Sequence, residues 1–400
     1  MIVRRATLTI VMIASAGLLT VPIPAFARGA HVHCGEVVTK SIVLGHDLAC
    51  TGDGLTIGAD GVTIDLNHHS VSGPDTAAGI RTAGHDGVTV RRGALHGFGL
   101  DISESSDVTV SRVTTPSVTM FDSDHITLSR VRSAYHIRVA TDIAIVGGSI
   151  TGLDMSLALR MSVVDAHIAG EVRGWVVPSL TFIRCRFDRV RLMYLDSPFA
   201  RFIGNTVVDS TLSPSDSDEV LVENNRFLRS SLSAQIRSRR MIVRDNVFRD
   251  GGTALAIGSQ TPGVRIESNL FVNNDLGVFG QVIPPAMAGL VVRNNVFRDN
   301  RVAGLYLTPR FAAASGPMTF VGNRFIHNGH ESGGAIDSGG RAVNDGLHLD
   351  GITGDAVVIR DNLTVRNADY GIEVAPGPVT DGGDNTSIGD PSGCLGIACR

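Results

Sequence analysis

Tyr306, His348 and Glu373 fall at one matching position of three successive apolar runs, Gly304-Leu305-Tyr306-Leu307, Gly346-Leu347-His348-Leu349 and Gly371-Ile372-Glu373-Val374. Two earlier runs, Ala254-Leu255-Ala256-Ile257 and Gly277-Val278-Phe279, place Ala256 and Phe279 there. If such runs stack, a phenol, an imidazole and a carboxylate come about one strand spacing apart, beside Asp350 and Arg310. Those groups suit removal of a proton alpha to a sugar carboxylate while arginine neutralises the acid, or acid–base cleavage of a glycosidic bond. Tyr306, His348, Asp350 and Glu373 are therefore the candidate catalytic set. Phe279, Gln281, Thr308 and Arg310, at the same and the next outward positions, are the candidate substrate contacts. The longest insertion, 327–345, carries His327, His330, Glu331 and Asp337 and is expected to wall one side of the groove. The competing reading is a mixed polar column that faces water and needs no purpose.

Positioning such a column requires a repeat, and the chain has one. Short alternating runs start at Val62, Val88, Val108, Ile126, Ile143, Val163, Leu180, Ala200, Val220, Met241, Val264, Leu290, Met318 and Val357. In Val88-Thr89-Val90-Arg91 the valines can face inward while Thr89 and Arg91 face out. Five residues after the start comes Asn67, Asn205, Asn225, Asn246, Asn269, Asn295, Asn323 or Asn362, and in the later repeats a Phe follows two residues on. No unit of this size can bury its own apolar face. Stacked units can, which predicts an all-β solenoid of about 12–14 coils and on the order of 65 Å in length. Asn then forms a ladder in a turn, Phe stacks inside, and Cys185, at the Asn position of its coil, is an inert buried thiol. Thr63, Thr89, Thr109 and Thr127 share one outward register. Glu223, Arg244, Glu267 and Arg293 alternate in sign along another, which predicts a solvated salt-bridge ladder.

The run CGEVVTKSIVLGHDLACTGDGLTIGADGVTIDLNHHSVSG, then GVTVRRGALHGFG, and the repeated RDNVF and NNVF segments resemble secreted proteins of the right-handed parallel β-helix, pectate-lyase-like superfamily. The resemblance covers nearly the whole chain after the first residues. It implies a right-handed coil, but the superfamily holds lyases, hydrolases, epimerases and adhesins alike. The NTD, DD, GHG and RIK patterns of its polygalacturonase-like hydrolases do not occur here. A catalytic lysine is disfavoured, because Lys40 is the single lysine and lies near the N-terminus. The acids are scattered, so calcium is left open without a site, and no other metal or cofactor is expected. Two expectations follow. The chain binds, and cleaves or epimerises, an extracellular acidic polysaccharide; or it is a non-catalytic structural or adhesive rod.

Composition bounds the rest. Aromatic residues are 5% of the chain, glycines number 46 and the formal charge is −4, which leaves no basic footprint for nucleic acid. One Trp and four Tyr argue against a broad aromatic sugar platform. Arg4 and Arg5 precede an apolar run to Val21 and an Ala25-Phe26-Ala27 cleavage pattern, so residues 1–27 are expected to be an export signal. The mature protein is then expected to be secreted, monomeric and free of the membrane. Residues 28–61 are expected to cap the array, 62–380 to form it and 381–400 to be a tail. Export permits disulfides, and Cys34–Cys50 and Cys394–Cys399 are paired locally, one staple per end.

Overall fold

The computed structural model describes residues 27–234, 238–258, 261–282, 288–309, 317–352, 354–375 and 379–400; the expected export signal, save Ala27, lies outside them. Every named strand pairs in parallel with the strand one coil away, and among the described residues there is no helix and nothing helical that could cross a membrane. Three short strands per coil build three sheets. In the first, Thr63 faces Thr89, Thr89 faces Thr109, and Thr127 N donates to Val108 O, so the predicted threonine column forms. The second sheet runs through Ser70–Ser72, Arg226–Leu228 and Val296–Arg298. The third runs through Ala78–Arg81, Leu276–Val282, Leu347–Asp350 and Tyr370–Ala375. Successive parallel strands of one sheet are joined by right-handed crossings in nearly all proteins, as the coil requires.

The solenoid has about 16 coils rather than 12–14. At the strand spacing it is on the order of 75 Å long. The extra coils come from the ends. Glu36–Val38 pairs with Leu55–Ile57 and Ile42 faces Ile64, so residues 28–61 wind into the array they were expected to cap. At the other end Val379–Asp381, Thr386–Ile388 and Gly393–Leu395 add a last coil that runs through the expected tail. Coiling on satisfies backbone groups that a bare terminal strand would leave unpaired. Both disulfides form as paired, Cys34–Cys50 and Cys394–Cys399.

The interior is a stack of like residues. Phe248, Phe271, Phe297 and Phe325 lie 4.8 to 4.9 Å apart with nearly parallel rings. In the turn from the first sheet to the second, Asn295 Nδ2 donates to Asn323 Oδ1 (3.0 Å) and Asn295 Oδ1 accepts from Asn269 Nδ2 (3.0 Å). This chain of amides runs from Asn205 to Asn385. Cys185 begins it, with its N–H on Asn205 Oδ1 and its thiol on Val163 O; burial pushes that thiol up to about 11. Asn67 does not belong to the ladder. It sits exposed at φ 49° where the early coil turns differently, and its amide reaches Leu44 O instead. A second amide ladder, Asn274–Asn300–Asn328–Asn367, lines the turn into the third sheet. On the outside, Arg244 meets Glu223 at 2.7 Å and Arg293 meets Glu267 at 3.0 Å, two rungs of the expected charge ladder.

Candidate functional site

The third sheet carries the predicted column in register. Ala256 faces Phe279, Phe279 faces Tyr306, Tyr306 faces His348 and His348 faces Glu373. Tyr306 stands edge-on to the His348 ring at 5.2 Å, and Phe279 lies 5.6 Å from Tyr306. Phe279, Tyr306 and Thr308 are half-buried and Gln281 is exposed; Arg310 lies outside the described residues.

The groove expected there is closed. His348 and Asp350 are fully buried and Glu373 is 2% exposed, although all three point away from the core. The insertion lies over them as a cover rather than beside them as a wall. It contributes Asp337, Arg341 and Asp345, whereas His327, His330 and Glu331 stay exposed. His327 pairs with Asp299 instead. The physical reason is electrostatic: a guanidinium on the insertion finds carboxylates on the sheet. Arg341 Nε lies 2.8 Å from Asp337 Oδ2 and 3.0 Å from Glu373 Oε1.

Every polar group in this cluster but one is held by the protein. His348 Nδ1 is 2.6 Å from Asp345 Oδ2 and 3.2 Å from Glu373 Oε2, and Nε2 is 3.3 Å from Asp337 Oδ2. Asp350 accepts from Ser338 N, Ser338 Oγ and Thr308 Oγ1 at 2.9 to 3.1 Å. Asp337 Oδ1 accepts from the backbone N–H of Gly339 and Arg341. The exception is Glu373 Oε1, which has the Arg341 charge close by but no hydrogen bond.

These contacts set the protons. Burial pushes the Glu373 carboxyl up to about 7; His348 pulls it down, while the Asp345 charge and hydrogen bond add to the rise. Burial alone would lower His348, yet the Asp345 hydrogen bond and three carboxylates raise it above its ordinary value. Burial would likewise raise Asp337, but the N–H groups and guanidinium of Arg341 hold it below. Burial raises the Tyr306 phenol, which keeps it protonated and leaves less phenolate to act as a base.

Asp337, His348 and Glu373 offer ligand atoms within 4.8 Å of one another, close enough for a metal ion. The donor set does not fit one. Arg341 already bridges Asp337 and Glu373, so a divalent ion would meet a guanidinium in its first coordination sphere. Arginine is the cation of this cluster.

The accessible part of the same sheet lies nearer the N-terminus. Phe121 faces Arg138, Arg138 faces Ser156 and Ser156 faces Trp175, all in one outward column. In the column beside it Arg173 faces Met193. Trp175 is 65% exposed, Met193 50% and Phe121 48%. A groove of about 480 Å³ is lined by Glu171, Arg173, Arg191, Met193 and Ser215. Arg173 is paired with Glu171 at 2.6 Å, whereas Arg138 and Arg191 have no acidic partner among the described residues. Sequence reasoning missed this patch because its strands are not uniformly opened by Gly or Ala: Ser117, Glu171 and Arg191 stand where Gly304 and Gly346 stand in the later ones. It missed Arg341 and Asp345 because the insertion breaks the repeat, although an acid three residues before His348 was a signal to read.

Three parallel ladders, amide turns and stacked phenylalanines make this an all-β protein with a parallel β-helix fold. The family profile described as a right handed beta helix region matches residues 194–391. No curated protein matches the chain. Among solved structures it is similar to the periplasmic alginate epimerase AlgG, with 12% identity, TM-score 0.32, and 80% of this chain covered against 77% of that one. It is also similar to the catalytic domain of an α-1,3-glucanase in complex with nigerose (11%, 0.36, 88% and 68%). An alginate lyase gives 12% identity, TM-score 0.34, and coverage of 90% and 81%.

Proposed function

We propose that this protein is an exported rod that binds an acidic polysaccharide along its third sheet without transforming it. The observation that carries the reading is the patch around Trp175. An exposed indole offers a sugar ring its flat apolar face, and Arg138 and Arg191, neither of them in an ion pair among the described residues, offer carboxylates a charge-assisted partner. Phe121 lies three coils from Trp175, roughly 14 Å along the rod, so a polymer parallel to the axis can touch both. The two disulfides fit an oxidising compartment outside the cytosol.

Trp175 is the single tryptophan, so its emission reports the site directly. Titration with an oligouronate should give a saturable change, and a neutral oligosaccharide of equal length should bind more weakly. Replacing both Arg138 and Arg191 by Ala should weaken the oligouronate at least tenfold. No saturable change with any acidic oligosaccharide, or an affinity indifferent to the two arginines, defeats the reading.

A catalytic reading, as lyase, epimerase or glycoside hydrolase, has one observation in its favour. Glu373, titrating near neutrality beside His348, has the pKa that acid–base work calls for. It requires the insertion to lift, because a general acid or base must reach its substrate. Turnover of any polymer that is lost in His348→Ala and Asp350→Ala would establish it over simple binding.

A further inference from the structure

The corners between sheets follow a rule over much of the rod. Arginines that occupy a left-handed turn position reach back one coil to an acid. Arg184 grips Asp165 with two hydrogen bonds of 2.7 and 2.8 Å, Arg160 grips Asp142, Arg229 grips Asp209 and Arg240 meets Glu219. Arg112 and Arg130 break the rule. Both have the left-handed backbone, at φ 54°, but the corner one coil before Arg112 is Arg92, and the one before Arg130 is Arg112. Three arginines therefore stack at one coil spacing, roughly 4.8 Å of backbone separation.

Their charge is not balanced by the protein. Buried Asp65 takes both Arg91 and Arg92, at 3.0 and 2.9 Å, so one carboxylate serves two guanidinium groups. Burial alone would raise that carboxyl, yet the arginines hold it below its ordinary value. Arg112 and Arg130 have no acidic partner among the described residues. One coil on, the corner is Gly147, so no side chain closes over Arg130. Asp165, at the far edge, is already committed to Arg184.

These groups face one groove of about 670 Å³, which Ser111 and Ser129 also line. Each serine directly precedes its arginine, so a column of hydroxyls, Ser111 and Ser129, runs beside the column of guanidinium groups. We propose that this corner binds a tetrahedral oxyanion, the sulfate or phosphate ester group of an extended polymer. The donors come from three coils and two directions. A planar carboxylate presents two oxygens in one plane, whereas an ester oxyanion presents three around a centre, and arginine forks grip such a group well. The site is separate from the third-sheet patch and does not rest on it.

The test is calorimetric titration at fixed ionic strength with inorganic sulfate and inorganic phosphate, sodium chloride serving as the control. A sulfated oligosaccharide is then compared with the same oligosaccharide after desulfation, and a phosphorylated one with its dephosphorylated form. The informative variant is Arg112→Gly with Arg130→Gly, since glycine adopts the left-handed turn freely, as Gly147 does. The native protein should bind one of the inorganic anions saturably, and the double variant should lose at least tenfold. Arg138→Ala with Arg191→Ala should leave this binding unchanged. The esterified oligosaccharide should bind more tightly than its stripped form, and which pair differs distinguishes sulfate from phosphate. Equal affinity in the double variant, or no saturable binding of either anion, overturns the site; binding of free anion with no preference for either ester overturns the polymer.

Discussion

Replacing Glu373 by glutamine probes the buried cluster without changing its shape. A carboxyl held at about 7 in the folded chain against an ordinary 4.5 represents on the order of 3 kcal/mol of pH-dependent stability. The sign follows from the direction of the shift. Because the folded state raises this pKa, its contribution is fully present below the unfolded value and is lost as pH rises through the folded one. Glu373→Gln carries no proton to lose, and its amide can still donate to Asp345 while its carbonyl faces Arg341. Stability of wild type relative to variant should therefore fall by about 3 kcal/mol between roughly pH 4.5 and pH 8. The unfolding entropy of a chain this long is on the order of 0.8 kcal/mol per kelvin, so the relative melting temperature should move by about 4 °C. Hydrogen exchange across 331–346 gives the local readout, with the insertion opening more readily at high pH in wild type than in the variant. If the two proteins track each other over the whole range, Glu373 keeps an ordinary pKa and the proton assignment is wrong.

Arg341→Met should free the insertion, because it leaves Asp337, Asp350 and Glu373 grouped without their guanidinium, a loss of about 3–5 kcal/mol for a broken buried pair. Limited proteolysis should then cut within 331–346 while the coils stay intact, and Arg341→Lys should rescue only in part, since an ammonium cannot reproduce the fork. Asn295→Ala should cost about 2–4 kcal/mol in urea unfolding, because it orphans the Asn269 N–H and takes a donor from Ile266 O at once. Glu223→Ala, which removes one partly buried rung of the charge ladder, should cost about 1 kcal/mol.

The fold was legible because every coil repeats the same local instruction. Val-x-Val alternation fixes which face is inside, and an amide at a fixed offset from it fixes the turn. The stretch VVRNNVFRDN holds both ladders, Asn295 entering the second sheet and Asn300 leaving it. Only the first was read, although Asn follows Phe by three residues in that repeat and in those of Phe271 and Phe325. Asn67 misled because its offset matched while its backbone did not. The column through Tyr306, His348 and Glu373 was equally legible, since register in a solenoid advances by one coil. What covers the column was not. The path of an insertion follows from contacts such as Arg341 to Glu373, which no period encodes.

That cover decides how the third sheet can work. Burying four carboxylates, an imidazole and a guanidinium is unfavourable unless each finds a partner, and here nearly all do. Such a cluster holds the insertion down, and it excludes water from the groups best suited to chemistry. The sheet therefore divides along its length. From Phe121 to Met193 its outward columns are open and bear arginine beside aromatic rings, the surface proposed above to bind a polymer. From Tyr306 onward they are sealed by a clamp, one of whose carboxyls titrates near neutrality. A polymer lying along the sheet meets Phe279 and Tyr306 last, at the edge of the clamp where Arg341 is still partly exposed. If the protein has a catalytic state, it is reached by deprotonating Glu373 and loosening the insertion, so activity and exchange at 331–346 must rise together with pH. Activity that rises while the insertion stays protected would place the chemistry elsewhere on the rod.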